Sequence, residues 1–240
     1  MEKLGIIGGM GPAATARLLT RVVELTSAAC DQEHVDVTVL NRPSVPDRTA
    51  YLVGEEDAES FVPALVDMAQ ALEAWGCTVL AMPCNTAHAG KDDVAARLTR
   101  ARLLDMPRET AAFLQGLGCA NVGVLATDGT LAAGVYQTAC GEAGVRMTPP
   151  APETQRAVMR VIYEGVKAGR AVPEQDAWSL LDALVDAGCD GVVLGCTELS
   201  VLPFPARYRG ACVVDALDVL AWRCVQECGA PARDLRSRFA

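Results

Sequence analysis

Two nine-residue runs in this chain have the same build: Gly76-Cys77-Thr78-Val79-Leu80-Ala81-Met82-Pro83-Cys84 and Gly188-Cys189-Asp190-Gly191-Val192-Val193-Leu194-Gly195-Cys196. Each opens on Gly-Cys, continues as an apolar stretch of strand length, and delivers a second cysteine eight positions after the glycine. Such a run, bounded by turn residues, reads as a strand buried on both faces. Upstream, Leu4-Gly5-Ile6-Ile7-Gly8-Gly9-Met10-Gly11 parallels Asn121-Val122-Gly123-Val124-Leu125-Ala126-Thr127-Asp128-Gly129. The second cysteine of each run then follows 79 residues after Gly5 and 73 residues after Gly123. Repetition at this scale implies two similar halves, each ending a buried strand in a thiol.

The segments between these markers alternate in period. Strands are expected at 4–7, 35–40, 78–82, 122–125, 145–148 and 191–194. Helices are expected at 13–29, 58–75, 92–100, 131–143, 155–167 and 176–187. Alternation of this kind gives an α/β fold with parallel sheets covered by helices on both faces. The last strand, 212–215, and closing helix, 216–228, fit the second half poorly. The expected division is therefore 1–105 plus 212–240 for the first domain and 106–211 for the second, with 232–240 a loose tail.

Half of the residues are apolar, enough for packed cores, and the net charge of -9 disfavours nucleic acid or an anionic membrane as partner. The N-terminus enters a strand without a signal-peptide pattern, and no apolar stretch reaches the length of a membrane span. The ten cysteines therefore read as reduced, in a cytoplasmic protein. No metal site is expected, because there are only two histidines, His34 and His88, and no Cys-x-x-Cys pair. Cys224 and Cys228 share a helix face and read as core.

Cys84 and Cys196 are the candidate chemistry. Both fall beyond the carboxyl ends of strands, where parallel sheets bind ligands. Asn85-Thr86-Ala87 and Thr197-Glu198-Leu199 read as tight turns whose N–H groups could hold a carboxylate and lower a thiol pKa. Two such thiols flanking a small substrate are an acid and a base that can exchange roles. The Gly8-Gly9-Met10-Gly11-Pro12 loop is either a plain turn or a contact to a small substrate; the full dinucleotide fingerprint is lacking. Arg48, in the rigid loop Pro43-Ser44-Val45-Pro46-Asp47-Arg48-Thr49, suits a carboxylate, and Arg42 is its rival. Lys167 either completes a helix C-terminus or faces substrate, and His88 reads as a satisfied turn or core histidine.

At these motifs the chain resembles the aspartate/glutamate racemase family, most closely its cofactor-independent aspartate racemases. The likeness rests on Ile7-Gly8-Gly9-Met10-Gly11-Pro12, Pro46-Asp47-Arg48-Thr49, Pro83-Cys84-Asn85-Thr86-Ala87-His88 and Gly195-Cys196-Thr197-Glu198-Leu199, in that order. The resemblance implies two doubly wound domains related by a pseudo-twofold axis, with the active site in the cleft between them. It implies Cys84 and Cys196 as proton donors and acceptors, no cofactor, and a homodimer. Arg48 and Lys167 would hold substrate carboxylates, while Asn85, Thr86 and Thr197 would hold the α-carboxylate or amino group. Met10, Gly11 and Glu198 would complete the substrate site. The expected reaction is interconversion of L- and D-aspartate. Glutamate or another amino acid is the alternative substrate, and a non-catalytic sensor of acidic amino acids is the alternative class.

Overall fold

The computed structural model describes residues 1–239; Ala240, the end of the expected tail, lies outside them. In the first half, β1 (Leu4–Gly8), α1 (Pro12–Leu25), β2 (Val37–Asn41), α2 (Arg48–Val53), α3 (Val62–Ala74), β3 (Val79–Ala81), α4 (Lys91–Ala95) and β4 (Arg102–Leu103) build a four-stranded parallel sheet of order β2-β1-β3-β4. After α5 (Met106–Gly116) come β5 (Asn121–Leu125), α6 (Asp128–Ala132), α7 (Val135–Ala143), β6 (Arg146–Thr148), α8 (Pro152–Met159), α9 (Glu174–Asp186), β7 (Gly191–Leu194), β8 (Arg207–Tyr208), β9 (Ala211–Asp215) and α10 (Ala216–Glu227). These strands form a second sheet of order β6-β5-β7-β9-β8, parallel except for the short edge strand β8. The fold is thus two doubly wound α/β halves, as the alternation of periods requires.

The repeat is visible in the joints. Gly76 and Gly188 lie just past α3 and α9 with φ of 87° and 84°, a left-handed conformation that glycine adopts without a Cβ clash. Each glycine therefore ends its helix and turns the chain directly into the central strand that carries a thiol. Alternation along the strands then sorts side chains by face. Leu4 and Ile6 of β1 join a core shared with Val122 and Val124 of β5, and with α1, α5, α7 and α10. Ile7 points the other way, into a separate core with Leu65 and Leu72 of α3. Leu125 and Leu194 face a third core with α8 and α9. Burying each such side chain stabilises the fold by about 1.5–3 kcal/mol, so the shared core fixes the halves against each other.

Four expectations need correction. The strand at 211–215 does not belong with the first half: β9 pairs with β7, from Gly191↔Cys212 to Leu194↔Asp215. The chain then crosses, and α10 packs on α1 as well as α5. The tail is not loose, because Leu235 and Phe239 are buried and Arg207 donates to the Phe239 carbonyl at 2.9 Å. The helix expected over 155–167 changes character: α8 ends at Met159 and a π-helical stretch, Arg160–Val166, delivers Lys167. Helix 131–143 is likewise two, broken at the left-handed Gly134. No described helix is long and apolar enough to cross a membrane.

Candidate active site

The carboxyl ends of β3 and β7 bring Cys84 and Cys196 to one cleft between the halves. Met10, Arg48, Asn85, Thr86, Lys167, Thr197 and Glu198 line it with them, around ≈ 300 Å³ of empty space. Gly11 lies one step outward, in an adjoining chamber of ≈ 1040 Å³ that shares Arg48, Lys167, Thr197 and Glu198. Arg42 is on neither wall: its Nη1 turns outward to Asp67 Oδ2 at 3.8 Å. Among the described residues no group of three or more His, Cys, Asp or Glu side chains is arranged to hold a metal ion.

Each cation is set by local backbone. Asp47 caps α2 by accepting from the Ala50 N–H at 2.9 Å, which places Arg48 at the first turn of that helix. Arg48 Nη1 donates to the Val45 and Pro46 carbonyls at 3.2 and 2.9 Å, while its buried Nε has no partner. One edge of the guanidinium is anchored and another is left for an anion. Lys167 Nζ lies 4.0 Å from the centre of the Tyr163 ring. Partial desolvation opposes its charge, but Glu198, Tyr163, Cys196 and Asp47 together raise its pKa, so Lys167 stays charged.

The thiols are buried, Cys84 at 6% and Cys196 at 7% exposure. Burial raises both pKa values, against the expectation that the turns would lower them. At Cys84 the Arg48 charge and the Ala87 N–H pull the other way without winning. At Cys196 the carboxylate of Glu198 adds to burial, since the thiol donates to Glu198 Oε2 at 2.9 Å and its ionisation would set two anions together. The unliganded pair is therefore protonated at neutral pH. Buried thiols held above their ordinary pKa are poor targets for oxidation.

Behind Cys84 stands His88, 1% exposed. Its Nε2 accepts from the Met106 N–H at 3.1 Å, which leaves Nδ1–H to donate to the Cys84 carbonyl at 2.8 Å. Desolvation lowers its pKa, so the imidazole is neutral, a holder of the turn as the sequence suggested. Two further contributors emerge from the fold. Thr49 and Thr127 also line the cleft. Their hydroxyls lie 3.3 Å apart, and Thr127 lies 3.0 Å from Thr86 Oγ1, a buried chain of hydroxyls crossing between the halves. Thr49 lies in the first turn of α2 and Thr127 caps α6, so only the fold brings the two hydroxyls together.

A family model for Asp/Glu/Hydantoin racemase matches residues 7–224. The aspartate racemase of Picrophilus torridus is 28% identical, with a TM-score of 0.82 over 100% of this chain and 98% of that one. An aspartate racemase homologue from Pyrococcus horikoshii OT3, 23% identical, shares the fold with a TM-score of 0.75 over 95% of this chain and 100% of that one. The broad specificity amino-acid racemase RacX of Bacillus subtilis is 25% identical over 205 residues, 83% of this chain and 86% of that one. With a family match across nearly its whole length, the chain belongs to the Asp/Glu/Hydantoin racemase family, as an amino-acid racemase.

Proposed function

We propose that this enzyme interconverts L- and D-aspartate by two-base proton transfer, without a cofactor, with Cys84 and Cys196 as the reacting groups. The observation that carries the reading is one cleft holding a thiol from each half together with Arg48 and Lys167. A dicarboxylate entering beside two cations gains charge-assisted hydrogen bonds, and Arg48 has a free Nε to give.

The chemistry needs one thiolate and one thiol. Cys196 passes its proton to the Glu198 carboxylate across their hydrogen bond, and the resulting thiolate removes the α-hydrogen. Cys84 then donates its proton to the opposite face of the carbanion. The enzyme is left with a Cys196 thiol, a protonated Glu198 and a Cys84 thiolate, which is stabilised by Arg48 and the Ala87 N–H; once product leaves, exchange with solvent takes the proton off Glu198 and returns one to Cys84. The opposite enantiomer runs the roles in reverse. Arg48, Lys167 and the turn donors oppose the charge that develops on the carboxylate in the transition state. Ionisation of the coupled thiols belongs to the pair.

A second reading takes a longer or less acidic amino acid. The outer chamber is rimmed by apolar Pro12, Ala13, Val45, Val166 and Val201, which suits a larger side chain. The likeness to a broad specificity racemase supports the same reading.

One assay separates these readings. Each enantiomer of aspartate, glutamate and a neutral amino-acid panel is incubated with enzyme in deuterated water, with ellipticity and α-proton loss followed together. Loss of ellipticity from both aspartate enantiomers, with deuterium entering product before remaining substrate, supports the first. Turnover confined to other amino acids supports the second, and no exchange with any of them overturns both.

A further inference from the structure

Asn85 follows Cys84 directly and is 2% exposed, yet only half of its amide is satisfied. Its Oδ1 accepts from the Tyr136 hydroxyl at 2.6 Å, while its Nδ2 has no partner and the residue lines the cleft. The distance decides which amide atom meets the phenol, since 2.6 Å is usual for O–H···O and short for N–H···O. Tyr136 is fully buried and comes from α7, in the other half of the molecule. Its ring also closes off the space beside the second thiol turn: a Cβ built on Gly195, the residue before Cys196, would lie 3.2 Å from Tyr136 Cε2. One aromatic side chain thus bonds to the neighbour of one thiol and lies beside the neighbour of the other.

We infer that Tyr136 is a positioning residue that sets the polarity of the cleft beside Cys84, holding Asn85 so that it offers N–H donors to a substrate carboxylate oxygen and nothing to an ammonium group. This rests on the reading of the cleft as an amino-acid site and extends it. With donors fixed at Asn85 and an acceptor fixed at Glu198 on the other wall, the substrate enters in one orientation. Its carboxylate faces Asn85 and its ammonium faces Glu198. Without the phenol the amide could rotate by half a turn, and each face would then be presented part of the time. Burial also raises the Tyr136 pKa well above its ordinary value, so the phenol keeps the proton that it donates.

The test uses succinate, a dicarboxylate with no ammonium group, bound to the full-length protein and measured by calorimetry. Tyr136→Phe keeps the ring against Gly195 and removes the donor; succinate Kd should rise about fivefold, the worth of one neutral hydrogen bond. In an Asn85→Ala background the same substitution should add less than about twofold, because the two residues act as one unit. An unchanged Kd in the single variant, or a full additional loss in the double, overturns the inference. Asn85→Asp, which keeps the bond to Tyr136 and reverses the face shown to the cleft, gives a second check if the phenylalanine variant is unstable. It should lower succinate affinity at least a hundredfold, and binding within threefold of the natural protein overturns the inference. A wild-type protein that binds succinate but racemises nothing would sink the proposed reaction and leave this polarity standing.

Discussion

His88 and Ser200 stand in equivalent places, four residues after Cys84 and four after Cys196, and each ties its thiol turn to the start of a later helix. His88 accepts from the N–H of Met106, the first residue of α5. Ser200 donates at 2.8 Å to Asp215, which caps α10 through the Leu217 N–H. The halves thus solve one mechanical problem with different chemistry, and the thiol on the imidazole side is open to an acid test.

His88→Ala leaves a buried carbonyl and a buried N–H unpaired, at about 1–3 kcal/mol each. Thermal melting should show that loss, and turnover should fall with it. Because the folded imidazole has a pKa below its unfolded 6.5, folding is fully favoured above that pH and weakens as pH falls below it, where only the unfolded chain takes the proton. A His88→Asn protein should therefore show a shallower loss of melting temperature between pH 6.5 and 5. An identical slope in the two proteins would remove His88 from the account.

Cys84→Ser and Cys196→Ser should each lower kcat by at least about 10²–10⁴, the usual contribution of a general acid or base. Polarimetry on both aspartate enantiomers checks this. Full activity in either variant would end the two-base mechanism.

Glu198→Gln separates thiol acidity from turnover. The substitution removes the charge that opposes the Cys196 thiolate, so iodoacetamide should modify Cys196 faster at pH 7 than in the natural protein, as read by peptide mass. Turnover should nonetheless fall, because the acceptor for the thiol proton is gone. In the natural protein modification of either thiol should be slow at pH 7 and accelerate as pH rises, since both are held above the ordinary thiol value.

Glu73 carries a stability prediction away from the cleft. Its Oε1 accepts from the N–H groups of Ala101, Arg100 and Thr99 at 2.8, 2.7 and 2.9 Å, which together lower its pKa to about 2. The stabilisation is complete above the unfolded value of 4.5 and disappears as pH falls through about 2. Glu73→Gln should melt earlier at pH 7, with the gap closing between pH 4.5 and 2.

The parts of this fold that repeat were legible. Gly76 and Gly188 mark helix ends by backbone conformation, and each is followed by an apolar run that reads as a buried strand. The strand at Arg102–Leu103 was not, because two residues carry no period. Helix α5 does carry a local signal, with Asp105 as cap and Pro107 in the first turn. The partner of β9 is a tertiary choice that its own residues do not encode. Thiol acidity is not legible for a similar reason: turn N–H groups are local, but the burial that outweighs them depends on the whole cleft. Tyr136 is one aromatic in a short helix, and only its contacts distinguish it from core.

The crossing of the chain at Asp215 also bears on the order in which the enzyme can be assembled. The second sheet lacks an inner strand until β9 is made, and α1 of the first half lacks its cover until α10 follows. On the ribosome neither half can finish by itself, although each looks like a self-sufficient module. The Cys196 turn, which Ser200 ties to Asp215, is therefore fixed late, when residues 211–227 leave the exit tunnel, and a chain stopped near residue 210 would carry every reacting group without the strand and helix that join the two halves.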